Sequence, residues 1–333
     1  MTSDRPVILV DAMSLYLRAY WGYPQMSPAT GQPIGGCIGF MKMLGRICGE
    51  SSPLQVVICW EGGGSTKRRA LHSEYKKGRR ADKPNRFYGD DLPDTDDNKV
   101  YQVAVLTKML RCVPVYQVYV PDCEGDDVVA YLAQGRFAAQ KKVLVTSDKD
   151  LYQLIDDHTN VYDLHRKIYV GPAEVFDQFR VSPLNFGLAK ALCGDGNDNI
   201  EGIRGLGYKT LARRFPFLGS DQHQILLSDV FDYCAAHADE AAVFRHILEE
   251  RALVERNWRL VHLSTAALSG DQANRVSNTL DTFTPCTDKM GLIRRLLAEG
   301  IGDFDVDGFL YSFVGVEGGS RRPAAAVSTK AKE

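Results

Sequence analysis

Four short apolar runs, VILVDA (7–12), QVVICW (55–60), VYQVYV (115–120) and KVLVTS (142–147), recur along the first half of the chain. Their length and β-branched content predict strands buried on both faces. Segments near 36–49, 97–111 and 126–139 carry helical patterns between them. Strands alternating with helices predict an α/β domain with a mainly parallel sheet, whose ligands bind at the carboxyl ends of the strands. From about residue 172 the pattern turns helical, broken by a glycine-rich stretch at 194–207, and continues to about 314. The end of the chain, 315–333, contains GGSRRPAAAVSTKAKE and has the composition of a disordered tail.

Each predicted strand is followed by acids. Asp11 follows the first, Glu61 the second, Glu124, Asp126 and Asp127 the third, and Asp148 and Asp150 the fourth; GDGNDN adds Asp195 and Asp198. Any one of them is explained as a helix N-cap or a first-turn acid favoured by the helix dipole. Together they are not. Two like charges at 4 Å repel by about 4 kcal/mol at an effective dielectric near 20, so acids gathered at one sheet edge require cations. With no His or Cys interleaved, the donors suit Mg²⁺ or Mn²⁺ rather than Zn²⁺. Their number suffices for two ions, which points to hydrolysis or transfer at a phosphate. The eight cysteines, never closer than eleven residues, contain no CxxC pair and are expected to be reduced and mostly buried.

The overall net charge of −2 conceals a basic segment. Residues 65–86 hold nine Lys or Arg, among them Lys67, Arg68, Arg69, Lys76, Lys77, Arg79 and Arg80, against two acids, a net of +7. With Tyr75 among its cations, and directly after Glu61, it suits contact with single-stranded nucleic acid. GDGNDNIEGIRGLGYKTLARR (194–214) has P-loop spacing between Gly202 and Gly207, but Tyr208 stands where Lys is required and no buried strand precedes it. It reads better as a hairpin between helices. Gly202, Gly205 and Gly207 would let backbone amides and Lys209 approach a DNA phosphate.

In order, VDAMSLYLRAY, CWEGGGSTKRRALHSEYKKGR, EGDDVVAYLA, TSDKDLYQL, GDGNDNIEGIRGLGYKTLA and, more weakly, RNWRLVHL make residues 5–263 similar to the flap endonuclease / 5′-nuclease family. That family includes phage 5′→3′ exonucleases and the 5′-nuclease domain of bacterial DNA polymerase I. The resemblance implies a PIN-like nuclease domain over 1–171 with an arch or clamp at about 62–96. It further implies a helix–three-turn–helix DNA-binding region over 172–314. Asp11, Glu61, Glu124 and Asp126 are the implied ligands of a first metal. Asp127, Asp148, Asp150, Asp195 and Asp198 are the implied ligands of, or outer shell to, a second. Tyr75, Lys76 and Arg79 match a Tyr-Lys-x-x-Arg clamp in which the cations steer the scissile phosphate and Tyr stacks on a base.

The same resemblance implies two Mg²⁺ (Mn²⁺ substituting) and a K⁺ at the hairpin. The implied substrates are DNA with 5′ flaps, nicks or gaps, and RNA–DNA primers. It also suggests a role in replication beside proteins such as single-strand-binding protein, and a monomer. Glu61 departs from the family's usual Asp by one methylene. The rival readings are a PIN-type ribonuclease and an inactive, structure-specific DNA-binding protein. The GIRGLGYK hairpin argues against the first, and the otherwise full carboxylate set against the second. The N-terminus MTSDRPVILVDAM does not resemble a secretory signal, and no apolar run is long enough to span a membrane, so a cytoplasmic protein is expected. The absence of a sliding-clamp motif favours a phage origin.

Overall fold

The computed structural model describes residues 4–23, 25–78 and 96–317. Its axis is β1 (Val7–Asp11), whose four apolar residues are wholly buried. Around it lie β2 (Gln55–Trp60), β3 (Tyr116–Tyr119), β4 (Lys142–Thr146), β5 (Thr159–Asp163) and β6 (Ile168–Val170), in the order β3-β2-β1-β4-β5-β6. The first five are parallel and β6 pairs antiparallel with β5. The parallel sheet is as expected; β5 and β6 are additional. TNVYD mixes polar with apolar residues, and Ile168 and Tyr169 of the short β6 are exposed, so neither strand carries a buried-strand signature. Because β2 and β4 lie on opposite sides of β1, the chain changes direction there, and a crevice opens beyond the carboxyl ends of β1 and β4.

Side chains alternate between two cores. Ile8, Val10, Val56, Ile58, Val143 and Val145 face one, and Val7, Leu9, Val57, Cys59 and Leu144 the other. Helices α1 (Ala12–Gly22) and α2 (Gly35–Ser51) follow β1. Helices α3 (Thr66–Leu71) and α4 (Asp96–Leu110) follow β2. Helix α5 (Gly125–Tyr131), continued by a π-helical turn Leu132–Arg136, follows β3. The first core takes α1, α2 and α4; the second takes α5.

Helices α6 (Pro172–Phe179), α7 (Pro183–Cys193), α8 (Tyr208–Arg214), α9 (Leu227–Ala236), α10 (Ala242–Glu249) and α11 (Arg251–Val261) come next. Leu188, Leu211, Phe215, Val230, Phe244 and Val254 give this region a core of its own. The helical region, expected to continue to about 314, then divides. Helices α12 (Gly270–Thr282), α13 (Lys289–Ala298) and α14 (Val306–Tyr311) return to the sheet. Val276 and Leu280 pack with Tyr116 and Val118 of β3, while Leu292, Leu296, Phe309 and Phe313 join the core of α1 and α2.

The chain beyond 314 is anchored as well. The Arg5 guanidinium donates to the Gly315 and Ser52 carbonyls at 2.8 Å each. The Glu317 amide donates to the Leu54 carbonyl at 2.9 Å. Residues Gly315 and Glu317 of the expected tail are thus held to the fold, and its residues 318–333 lie outside the described ones. Among the described residues no helix is long and apolar enough to cross a membrane. Six of the eight cysteines are buried, as expected, and Cys286 is exposed.

Phe313 is 1% exposed in the α1–α2 core. Replacing it with Ala should cost about 3–5 kcal/mol, measured by chemical denaturation of the whole chain. A loss below 1 kcal/mol would mean that the C-terminal segment does not complete this core.

Candidate metal centre and nucleic-acid interface

At the crevice the helix-cap and ligand readings of the acids coincide. Asp11 caps α1, its Oδ1 accepting from the Ser14 amide at 3.1 Å, while Oδ2 accepts from Thr146 Oγ1 on β4 at 2.9 Å. Asp148 accepts from the Asp150 amide and Asp195 from the Asn197 amide, each at 2.9 Å. Glu61 accepts from the Gly125 amide at 3.1 Å, which ties the end of β2 to the start of α5. These local bonds fix where each carboxylate stands. Asp11, Glu61, Glu124, Asp126, Asp148, Asp195 and Asp198 then line a single cleft of about 680 Å³.

Cations answer this concentration of charge. Arg68, 6% exposed, donates through both terminal nitrogens to Asp127 (2.8 and 2.9 Å) and through Nη1 to Glu124 Oε2 (2.8 Å). Glu124 Oε2 also accepts from Lys76 Nζ at 2.7 Å and from the Tyr75 hydroxyl at 3.1 Å. Lys190, 5% exposed, pairs with Asp150 and lies 2.7 Å from Asp195 Oδ2. Burial works against the Lys76 ammonium, yet the Asp126 carboxylate, with Tyr75 and Glu124, holds its pKa above the ordinary value.

Compensation is incomplete. Among the described residues Asp126 Oδ1 is buried without a hydrogen-bond donor, and the nearest guanidinium nitrogen of Arg68 is 3.7 Å away. Burial, helped by Asp148 and Asp126, pushes Asp11 up to about 7 in spite of its two hydrogen bonds. Asp150, Asp195 and Asp198 present oxygens within 4.8 Å of one another. A set of oxygen donors with residual negative charge fits divalent metal ions.

Several expected roles change. Asp127 does not line the cleft, because both of its oxygens are held by Arg68; it anchors α5 in the outer-shell rather than the ligand position of the two the resemblance implies. Asp150 stands behind the cleft against Lys190, while its oxygens also cluster with those of Asp195 and Asp198. Arg68 is not a surface contact for DNA, since the acids at the head of α5 draw it inside. Tyr75 is not presented for stacking on a base: its ring is 6% exposed and packs with Ala191, Ile200, Leu260 and Val261. Lys67, Arg69 and Lys77 are exposed, as nucleic-acid contact requires, and Lys76 lines the cleft. Arg79 and Arg80 lie outside the described residues. Lys190 was not anticipated; its one signal is a lysine inside the apolar run FGLAKALC.

The glycine hairpin has the expected place between α7 and α8. A Cβ at Gly202 would overlap the Cys193 carbonyl, and Gly205 has φ +80°, so both serve the hairpin's own geometry. At Gly207, which precedes α8, nothing lies within 4 Å of where a Cβ would stand, and Lys209 beside it is exposed. Asn257, wholly buried in the RNWRLVHL stretch, donates to the Ala191 and Glu201 carbonyls at 3.0 and 2.6 Å and braces α7 to the hairpin. The basic segment is sewn to the same loop. Asn199 Nδ2 donates to the Glu74 and Lys77 carbonyls at 2.8 Å each, and the Lys76 amide to the Asp198 carbonyl at 3.1 Å.

Residues 6–180 match the family model described as 5′-3′ exonuclease, N-terminal resolvase-like domain. The chain is 31% identical over 233 residues to a DNA polymerase I of Deinococcus radiodurans, covering 70% of this chain but only 22% of that polymerase. It is 29% identical over 207 residues to a 5′-3′ exonuclease of Aquifex aeolicus, covering 62% of this chain and 67% of that protein. The fold is that of a bacteriophage T5 flap endonuclease solved with DNA and metal ions, with a TM-score of 0.67 at 18% identity. That match covers 83% of this chain and 98% of the phage protein.

A carboxylate that holds its proton more tightly when folded loses stability as pH rises from its unfolded toward its folded pKa. For Asp11 this window is about pH 4 to 7. Metal-free protein should therefore melt at a lower temperature at pH 8 than at pH 5.5, and millimolar Mg²⁺ should remove most of the difference. A melting temperature that rises over this range without metal would contradict the charge balance described.

Proposed function

Because the chain belongs to the 5′-3′ exonuclease family, we propose that it is a divalent-metal-dependent, structure-specific 5′ nuclease, acting on DNA as exonuclease and flap endonuclease. One observation carries the reading: carboxylates from four strand ends and from a DNA-binding type of hairpin meet in one cleft, with Lys76 on its wall. Asp11, Glu61, Glu124, Asp126 and Asp148, with Asp195 and Asp198 from the hairpin side, are the residues that hold two Mg²⁺, or Mn²⁺ in their place. Metal ions bound there supply Lewis acidity to phosphate oxygens and lower the pKa of water.

The chain's own residues do the rest. Lys76 presents its ammonium where the phosphodiester gathers negative charge during cleavage, and Arg79 adds a second cation. Lys67, Arg69 and Lys77 neutralise backbone phosphates and set the position of the strand. Gly207 and Lys209 at the open face of the hairpin meet the duplex, where a K⁺ ion also binds. Arg68 and Lys190 act from behind by holding the ligands in place. Glu61 keeps an oxygen donor where the family usually has Asp, so the centre stays active. Products are a 5′-phosphate and a 3′-hydroxyl.

The reading extends to 5′ flaps, nicks, gaps and RNA–DNA primers met in replication, to a monomer working in the cytoplasm of a bacterial or phage-infected cell, and to neighbours such as single-strand-binding protein. The segment at about 62–96, of which 79–95 lie outside the described residues, is assigned the role of guiding the 5′ strand.

Asp148→Ala should reduce Mg²⁺-dependent cleavage of a labelled 5′-flap duplex by at least about a thousandfold while binding in Ca²⁺ changes little. Undiminished cleavage would remove Asp148 from the metal centre. Lys76→Ala should slow single-turnover cleavage by about a hundredfold or more. If only the salt dependence of binding changed, Lys76 would be a positioning contact.

A further inference from the structure

A second cavity, of about 460 Å³, lies beside the carboxylate cleft, and its chemistry is the reverse. Four cations line it: Arg18 from α1, Lys42 and Arg46 from α2, and Lys167 from the β5–β6 turn. No acidic side chain among the described residues does so. Among those residues no ion pair engages Arg18, Lys42 or Lys167. Arg46 has only a half-exposed contact with Glu50 at 3.4 Å.

Aromatic rings form the remainder of the wall. Trp21 and Tyr23 come from the end of α1, and Tyr162 from β5. The site is fixed in shape. Arg46 Nη2 donates to the Tyr162 hydroxyl at 2.7 Å, which aims the guanidinium across the cavity. The Tyr23 ring lies so close to α2 that a Cβ at Gly39 would collide with it. Arg18 and Trp21 line this cavity and the carboxylate cleft alike, so the two are continuous.

Cations without acids bind phosphate, and aromatic faces beside them bind an unstacked base. The geometry points to a nucleotide-binding subsite that holds one unpaired nucleotide of the DNA strand engaged in the cleft, with its base against the half-buried Trp21 or Tyr23 and its phosphate among Arg18, Lys42 and Lys167. The inference rests on the cleft being a DNA-cleaving site, and it adds a contact away from the scissile bond. A strand running from the cleft passes from a wall that requires metal ions to one that carries its own positive charge.

Lys42 and Lys167 are exposed, so the doubly substituted Lys42→Glu/Lys167→Glu chain should fold. Its affinity for a 5′-flap duplex with single-stranded extensions, measured by fluorescence anisotropy in Ca²⁺, should fall by about tenfold or more at moderate salt. The slope of log affinity against log salt should become shallower by about 2. In Mg²⁺ the loss should appear in KM more than in kcat. Lys108→Glu/Arg111→Glu, an equal change of charge at the end of α4 on residues that line neither cavity, should leave binding as it is. Unchanged affinity and slope in the double variant would overturn the subsite. So would saturable binding of a free deoxynucleoside 5′-monophosphate that the double variant loses while its flap binding stays intact. A wild-type chain that cleaves no flap DNA with any divalent metal would instead remove the nuclease reading on which the subsite depends.

Discussion

The cost of holding like charges together governs this molecule. Seven carboxylates face one cleft, and two more, Asp127 and Asp150, stand directly behind it. No arrangement of helix caps compensates that much charge. The chain meets it with Arg68 and Lys76 from the basic segment after β2 and with Lys190 from α7. The compensation stops short of completion, as the orphaned Asp126 Oδ1 and the raised pKa of Asp11 record. That remainder is what a metal-binding centre needs. Removing one buried partner, Arg68 for example, would strip Asp127 of the guanidinium that holds both its oxygens and leave Glu124 to Lys76 and Tyr75, an arrangement more costly than the ion pair itself.

The same ion pairs join the two halves of the chain. Lys190 belongs to the helical region and Asp150 to the sheet, so their contact holds α7 against the end of β4. Lys76 reaches Glu124 with its side chain and the Asp198 carbonyl with its amide. Asn199 closes the ring by donating to the carbonyls of Glu74 and Lys77. The position of the hairpin relative to the cleft is thus set by bonds to the acids and to the segment that follows Glu61. The proposed nuclease would need such a link, because a duplex bound at the hairpin would have to present its phosphodiester at a fixed distance from the carboxylates of the cleft.

Much of this was legible before any coordinate. Short continuous runs of β-branched residues marked β1 to β4, and a parallel sheet forces the residues that follow them to one edge, so the convergence of Asp11, Glu61, Glu124 and Asp148 follows from pattern alone. The Gly202–Gly205–Gly207 hairpin and the solvent-facing Lys67, Arg69 and Lys77 were equally readable. Strands β5 and β6 were not, because TNVYD mixes polar with apolar residues and the short edge strand β6 is largely exposed. The return of α12–α14 to the sheet was hidden as well: an amphipathic helix shows that it has an apolar face, but not which of two cores receives it.

Composition and spacing therefore determined the fold class, the all-oxygen character of the site and the edge of the sheet where it forms. Tertiary structure alone decided which charges meet. Arg68 and Lys67 are neighbours in the same basic run, yet one is buried on Asp127 and Glu124 while the other is exposed. Tyr75 turned inward to Glu124, and Lys190 in an apolar helix became the counter-ion of Asp150 and Asp195. The reason is physical. Secondary structure follows from local periodicity, which a sequence displays residue by residue. The partner of a charge depends on distances between segments up to a hundred residues apart, and these exist only after the two cores have closed.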